Sequence, residues 1–251
     1  ITSALRSYQS VISADSGHIS VHETGAIENT GHKVFSLKSK DGKIDAGGIK
    51  RFCENFYADV NHEHMVYPGM VYISQPTEYG TLYSKKELEE INKVCKEYEL
   101  LLFADGARLA YALGSSECDT SLKSIADLCD VFYIGGTKCG ALLGEAIVFT
   151  NKDICKHFFT NMKLFGGVLA KSRVMGIQFD VLFSDGLYER LGKTGVDAAM
   201  KIKRALTDKG YELYLDSVTN QQFIVVDDLQ REKLSENIAF GFMETLENGK
   251  H

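Results

Sequence analysis

Much of what this sequence says comes first from what it lacks. Only two prolines occur in 251 residues, and no tract is of low complexity, so the chain does not read as disordered. Positive charge is not in surplus: 28 Lys and Arg against 34 Asp and Glu leave a net charge of −6. Nothing therefore draws the chain toward nucleic acid or an anionic membrane. No stretch reaches the roughly eighteen apolar residues that a membrane-spanning helix needs. No signal peptide is visible either, and a cytoplasmic location is the default expectation. The six cysteines, Cys53, Cys95, Cys118, Cys129, Cys139 and Cys155, form no C-x-x-C pair. They lie in apolar runs such as Leu128-Cys129-Asp130-Val131 and read as reduced, buried small hydrophobes. Phosphate-loop, dinucleotide, H-E-x-x-H and G-x-S-x-G motifs are all missing. His62 and His64 lie close together but lack a third ligand nearby; they read as solvated, and no metal site is expected.

What is present is globular. Hydrophobic residues make up 44% and charged residues 25%, enough for a buried core without staples. At roughly 150 residues per domain the length predicts one large domain or two small ones. Val71-Tyr72-Ile73-Ser74 is a short β-rich run closed by Pro76. Ser84, with Glu87 three residues on, forms a capping box opening a helix whose apolar positions are Leu88, Ile91, Val94 and Cys95. Leu100 to Ala104 reads as a strand buried on both faces. A helix around Leu122 to Leu128 and strands at Val131 to Ile134 and Ala146 to Phe149 follow. Strands alternating with helices imply an α/β fold with parallel pairing. From 151 to about 209 the pattern is mainly helical, with Val174, Ile177, Val181 and Leu182 spaced for one face. Two further strands, Tyr211 to Tyr214 and Phe223 to Val226, and a helix from about Gln230 suggest a boundary near 185. That predicts a large unit, 1–185, and the start of a small α+β unit, 186–251. No internal repeat is evident.

Parallel sheets bind ligands beyond the carboxyl ends of their strands, and two such ends here are unusual. One runs into Asp105-Gly106-Ala107-Arg108, the other into Gly135-Gly136-Thr137-Lys138. An acid, an arginine and a lysine thus gather on one sheet edge. Singly each has an ordinary reading: Asp105 as a helix cap, Arg108 as a surface charge, the glycines as a turn.

Taken with His18-Ile19-Ser20-Val21-His22-Glu23-Thr24-Gly25-Ala26 and Pro76-Thr77-Glu78-Tyr79-Gly80-Thr81-Leu82, these segments resemble, in order and spacing, the threonine aldolase and β-eliminating lyase family of fold-type-I enzymes. Thr219-Asn220-Gln221-Gln222-Phe223 is similar to the entry of that family's small domain. The resemblance implies pyridoxal phosphate as cofactor, with Lys138 joined to its aldehyde and Asp105 at its ring nitrogen. It places Arg108 at the phenolic oxygen or the substrate carboxylate, His18 over the ring, and Thr137 at the phosphate. His22 and Glu23 also read as a structural hydrogen-bonded pair. The implied reaction is cleavage of a threonine-like β-hydroxy-α-amino acid to glycine and an aldehyde, catalysed by a homodimer or homotetramer. Two alternatives stand beside it: β-elimination from a substituted amino acid, and a cofactor-free remnant.

The sequence also departs from the family. Aldolases of this kind carry a histidine near the position of Glu78, which here reads as a candidate base. Ala170 replaces an arginine usual in the segment Gly166 to Lys171, with Lys171 and Arg173 close by. By the resemblance, the family's Gly-Gly-Thr phosphate segment is expected before Ile1 and its carboxylate-binding arginine past His251, while Gly135-Gly136-Thr137 belongs to the lysine segment. The expectation is a segment of a longer enzyme.

Overall fold

The computed structural model describes residues 1–251 apart from the side chain of Cys155, whose expected burial lies outside the described residues. Its centre is a six-stranded sheet of β1 (Gln9–Ala14), β2 (Val34–Leu37), β3 (Tyr67–Ser74), β4 (Leu101–Asp105), β5 (Val131–Ile134) and β6 (Ala146–Phe149) in the order β2-β1-β3-β4-β5-β6. The first five run parallel. The helices are α1 (His18–Val21), α2 (Ala46–Ala58), α3 (Lys85–Glu97), α4 (Leu109–Leu113), α5 (Leu122–Leu128), α6 (Phe158–Leu164), α7 (Arg173–Phe183), α8 (Leu187–Asp208) and, last, α9 (Asp228–Ser235). A separate hairpin pairs β7 (Glu212–Leu213) with β8 (Ile224–Val225).

The predicted elements from β3 to β6 are present. β6 differs in direction: it pairs antiparallel with β5. No helix separates them, so residues 135–145 fold back as a loop and return the chain along its own edge. Burial explains the near-continuous apolar strands. Val71, Ile73, Leu102 and Ala104 face one core with Leu88 and Ile91 of α3 and Ile49 of α2. The alternate positions Met70, Tyr72 and Phe103 face a second cluster with Val11 and Ile19. Both faces are covered, as a parallel sheet requires. The capping box at Ser84 and Glu87 starts α3 as predicted.

Three expectations change in detail. His62 is half-buried, its ring set edge-on against Phe56, 5.6 Å between centroids, rather than fully solvated. On α7, Leu182 is buried, but Val174, Ile177 and Val181 are 48%, 59% and 53% exposed. Their common face is apolar and uncovered by this chain. Finally, Cys118 is only half-buried, whereas Cys53, Cys95, Cys129 and Cys139 are buried; these five are free thiols. Burial pushes the Cys53 thiol up to about 11 and Cys129 up to about 12, which leaves both inert as nucleophiles. Among the described residues no helix is long and apolar enough to cross a membrane.

Candidate active site

The carboxyl ends of β1, β3, β4 and β5 lie side by side because the strands are parallel neighbours. The loops leaving them deliver residues from four distant segments to one place. A cavity there is lined by His18, Glu78, Asp105, Arg108 and Lys138, together with Ser74, Tyr133 and Gln221. Five of the six predicted site residues therefore converge. The sixth, Thr137, is exposed next to Lys138, and its hydroxyl donates to Glu145 Oε1 at 2.7 Å. A larger cavity of about 520 Å³ lies among Tyr214, Phe240, Phe242 and His251. It holds none of these groups, so chemistry rather than volume marks the site.

Asp105 ends β4 and is buried. Its Oδ1 accepts the Ala107 N–H at 2.9 Å, and its Oδ2 accepts the Tyr72 hydroxyl. The helix-cap reading of Asp105 is thus partly realised, as a turn rather than a cap. The loops after β4 and β5 interlock. Gly135 N–H donates to Gly106 O at 2.8 Å. A Cβ at Gly135 would stand 2.2 Å from Ala107 O, and one at Gly106 only 2.1 Å from Tyr133 O. Only glycine permits this approach, which brings Lys138 beside Asp105 and Arg108. From α8, the buried Tyr188 hydroxyl donates to Gly135 O at 2.9 Å and accepts from Ala110 N–H at 3.1 Å. Glu145 closes the other side, taking the N–H of Gly136 and the hydroxyl of Thr137.

Lys138 has no carboxylate within ion-pairing distance among the described residues. Its amine is held below the usual lysine range, first by partial burial and then by the Arg108 cation. A neutral amine is the nucleophilic form. Arg108, at the start of α4, likewise lacks a carboxylate partner among the described residues, so it is free to take an anion from the cavity.

Glu78 sits in a loop that is tightly tied. The Gln75 side chain bonds Tyr83 O and N–H at 3.0 and 2.9 Å, and Thr219 donates to Gly80 O at 3.2 Å. Glu78 Oε1 accepts the His18 N–H at 2.9 Å and the Ser74 hydroxyl at 2.6 Å. Its Oε2 is buried and has no partner among the described residues. Burial, the largest influence, raises the carboxyl above the usual range despite those donors. His18 pairs through Nδ1 with Glu23, so the expected His22–Glu23 pair is replaced by His18–Glu23. His22 instead lies 5.2 Å from the His18 ring.

Sequence reading missed Tyr72, Ser74, Tyr133 and Gln221. Tyr72 carried a signal: a tyrosine inside a fully buried strand needs a partner for its hydroxyl. Ser74 and Tyr133 carried none, since only the register of β3 to β5 places them at the cavity, whereas Gln221 arrives from the β7–β8 connection, inside the family-like segment Thr219 to Phe223.

An amine held below the usual lysine range, a fixed buried carboxylate and an arginine with no carboxylate partner among the described residues, at the carboxyl edge of a mostly parallel sheet, suit an anionic aromatic aldehyde with a basic ring nitrogen. Fold and site together define a fold-type-I, pyridoxal-phosphate-dependent lyase core. Residues 1–229 match the family model described as β-eliminating lyase. The low specificity L-threonine aldolase of Pseudomonas sp. (strain NCIMB 10558) is 30% identical over 237 residues, 93% of this chain and 67% of that protein. Its counterpart from Pseudomonas aeruginosa is 34% identical over 190 residues, 74% of this chain and 53% of that protein. The solved threonine aldolase of Leishmania major shares 42% identity with a TM-score of 0.94, covering 99% of this chain and 71% of that one. The chain belongs to the β-eliminating lyase family, a family of pyridoxal-phosphate-dependent carbon–carbon lyases, and spans about half to two thirds of the two curated relatives.

Proposed function

We propose that the protein cleaves threonine-like β-hydroxy-α-amino acids to glycine and an aldehyde. The observation that carries this reading is the free, buried Oε2 of Glu78 in the same cavity as Lys138. Aldol cleavage needs a base at the β-hydroxyl, and Glu78 occupies the place of the family's histidine. Burial raises its affinity for a proton above that of an ordinary carboxylate, which suits it to the role of base.

Pyridoxal phosphate, when bound, supplies the electron sink for the pair released as the Cα–Cβ bond breaks. The chain's residues do the rest. Lys138 holds the cofactor through its amine and Asp105 holds the ring nitrogen. Arg108 takes the phenolic oxygen or the substrate carboxylate, and His18, fixed by Glu23, covers the ring. To serve the phosphate, the Thr137 hydroxyl would have to leave Glu145 Oε1, to which it donates at 2.7 Å. Glu78 accepts the β-hydroxyl proton while the O–H electrons become part of the aldehyde C=O. The Ser74 hydroxyl and His18 N–H keep Oε1 occupied, so Oε2 is the oxygen that works.

Assembly of two or four copies belongs to the same proposal, and the uncovered apolar face of α7 supports it. So does a division into a large unit, 1–185, and a smaller one, 186–251: β7 and β8 form a sheet of their own, although α8, which opens the smaller unit, packs through Tyr188 into the core of the large one. The second reading, β-elimination, draws on the lowered Lys138 amine, since that reaction needs a base at Cα.

Product analysis on the full-length protein with threonine and allo-threonine separates them. Glycine plus aldehyde supports cleavage, whereas keto acid plus ammonia supports elimination. If no β-hydroxy substrate yields glycine, the aldolase reading is wrong.

A further inference from the structure

Tyr72 is a buried phenol in a largely apolar layer, with the partly buried Tyr133 packed against the same cluster. It sits mid-strand on β3, 2% exposed, among Val11, Met70, Phe103 and Val131. Its ring stacks on Phe103, 5.7 Å between centroids and 8° between planes. The register pairs Tyr72 with Phe103 and Ser74 with Asp105, so Asp105 is the diagonal neighbour on Tyr72's own face. A diagonal partner is within reach of a long side chain, and the hydroxyl donates to Asp105 Oδ2.

That contact has a chemical consequence. Asp105 Oδ1 is already committed to the Ala107 N–H. With one oxygen held from the turn and the other from the strand, the carboxylate plane cannot rotate. An ionised carboxylate has about four acceptor positions, so even with the Tyr133 hydroxyl beside it Asp105 keeps acceptor capacity for a group in the cavity it lines. Burial and Asp105 together push the Tyr72 phenol far above its ordinary range, so it stays protonated and donates throughout the working pH range.

We propose that Tyr72 is a positioning residue for the cofactor's ring nitrogen. Its hydroxyl fixes the Asp105 carboxylate and weakens it as an acceptor, so that a proton shared between Asp105 and the ring nitrogen stays on nitrogen. An electron-poor ring is the better sink, so the effect reaches the reaction through Asp105 and not by contact with substrate. The proposal rests on the cofactor reading given above.

The experiment uses the full-length protein reconstituted with pyridoxal phosphate labelled with ¹⁵N at the ring nitrogen, whose resonance reports directly where the proton lies. Tyr72→Phe is expected to move that resonance toward the unprotonated position and to weaken cofactor binding about tenfold, the size expected for one charge-assisted hydrogen bond. Asp105→Asn is the control. If Asp105→Asn leaves the resonance unmoved, the cofactor reading itself fails. If Asp105→Asn moves it and Tyr72→Phe does not, the role of Tyr72 is overturned. Should Tyr72→Phe not fold, 3-fluorotyrosine at position 72 decides. It keeps the ring and hydroxyl but donates more strongly: a resonance displaced further toward the protonated position supports the proposal, and one identical to wild type or displaced the other way overturns it.

Discussion

Replacing Glu78 with glutamine tests the chemistry with little change of shape. The amide keeps an oxygen for the His18 N–H and the Ser74 hydroxyl, which now bond Oε1 at 2.9 and 2.6 Å. What it loses is the free Oε2 as a proton acceptor. A general base contributes about 10²- to 10⁴-fold, or roughly 3–5 kcal/mol of barrier, so turnover with threonine should fall by that range while cofactor binding persists. The pH profile gives a second reading. Glu78 must be ionised to work, and burial raises its pKa, so activity should fall as pH drops through a value above the usual carboxylate range. Glu78→Gln should remove that limb. Stability should move the opposite way. A carboxyl whose folded pKa is raised stabilises the fold below its unfolded pKa and loses that contribution as pH rises through the folded value. Glu78→Gln should therefore melt higher than wild type at alkaline pH, with the difference vanishing in acid. Initial rates of aldehyde release across pH, paired with thermal melts, measure both effects. Turnover within threefold of wild type with an unchanged acid limb would refute the assignment.

Three further outcomes follow from the same structure. Borohydride reduction in the presence of pyridoxal phosphate should add one pyridoxyl mass to Lys138, and Lys138→Ala should abolish it; a label elsewhere, or none in wild type, rules out this lysine as the cofactor anchor. Leu102→Ala removes a side chain with no exposure from the centre of β4 and should cost about 2–5 kcal/mol in denaturant unfolding; a loss under 1 kcal/mol would mean the site collapses without a cavity. Ile177→Asp, on the 59% exposed position of α7, should shift sedimentation toward monomer and lower activity with it, and an unchanged sedimentation coefficient places the subunit contact elsewhere.

Legibility in the sequence followed locality. The capping box at Ser84 and Glu87, the helix Leu122–Leu128 and the buried strands could be read directly, because caps and continuous apolar runs depend on neighbours in the chain. β1 was not read. Its Ser10 and Ser13 are fully buried, and a strand carrying polar residues inside loses the apolar signature. The apolar face of α7 is legible as a face, but helical spacing shows only that it is apolar and not what covers it.

The sequence by itself determined the chemistry-bearing set, Lys138, Asp105, Arg108, His18 and Glu78, and the α/β order that sends it to one sheet edge. Tertiary structure alone decided which of these groups have partners and which are left free. It turned β6 antiparallel, gave His18 to Glu23, turned Thr137 toward Glu145, set Tyr72 on Asp105 and left Oε2 of Glu78 without a donor. The physical reason is that a residue's type is a local property, while hydrogen-bond satisfaction and desolvation depend on strand register and on whichever distant backbone packs beside it.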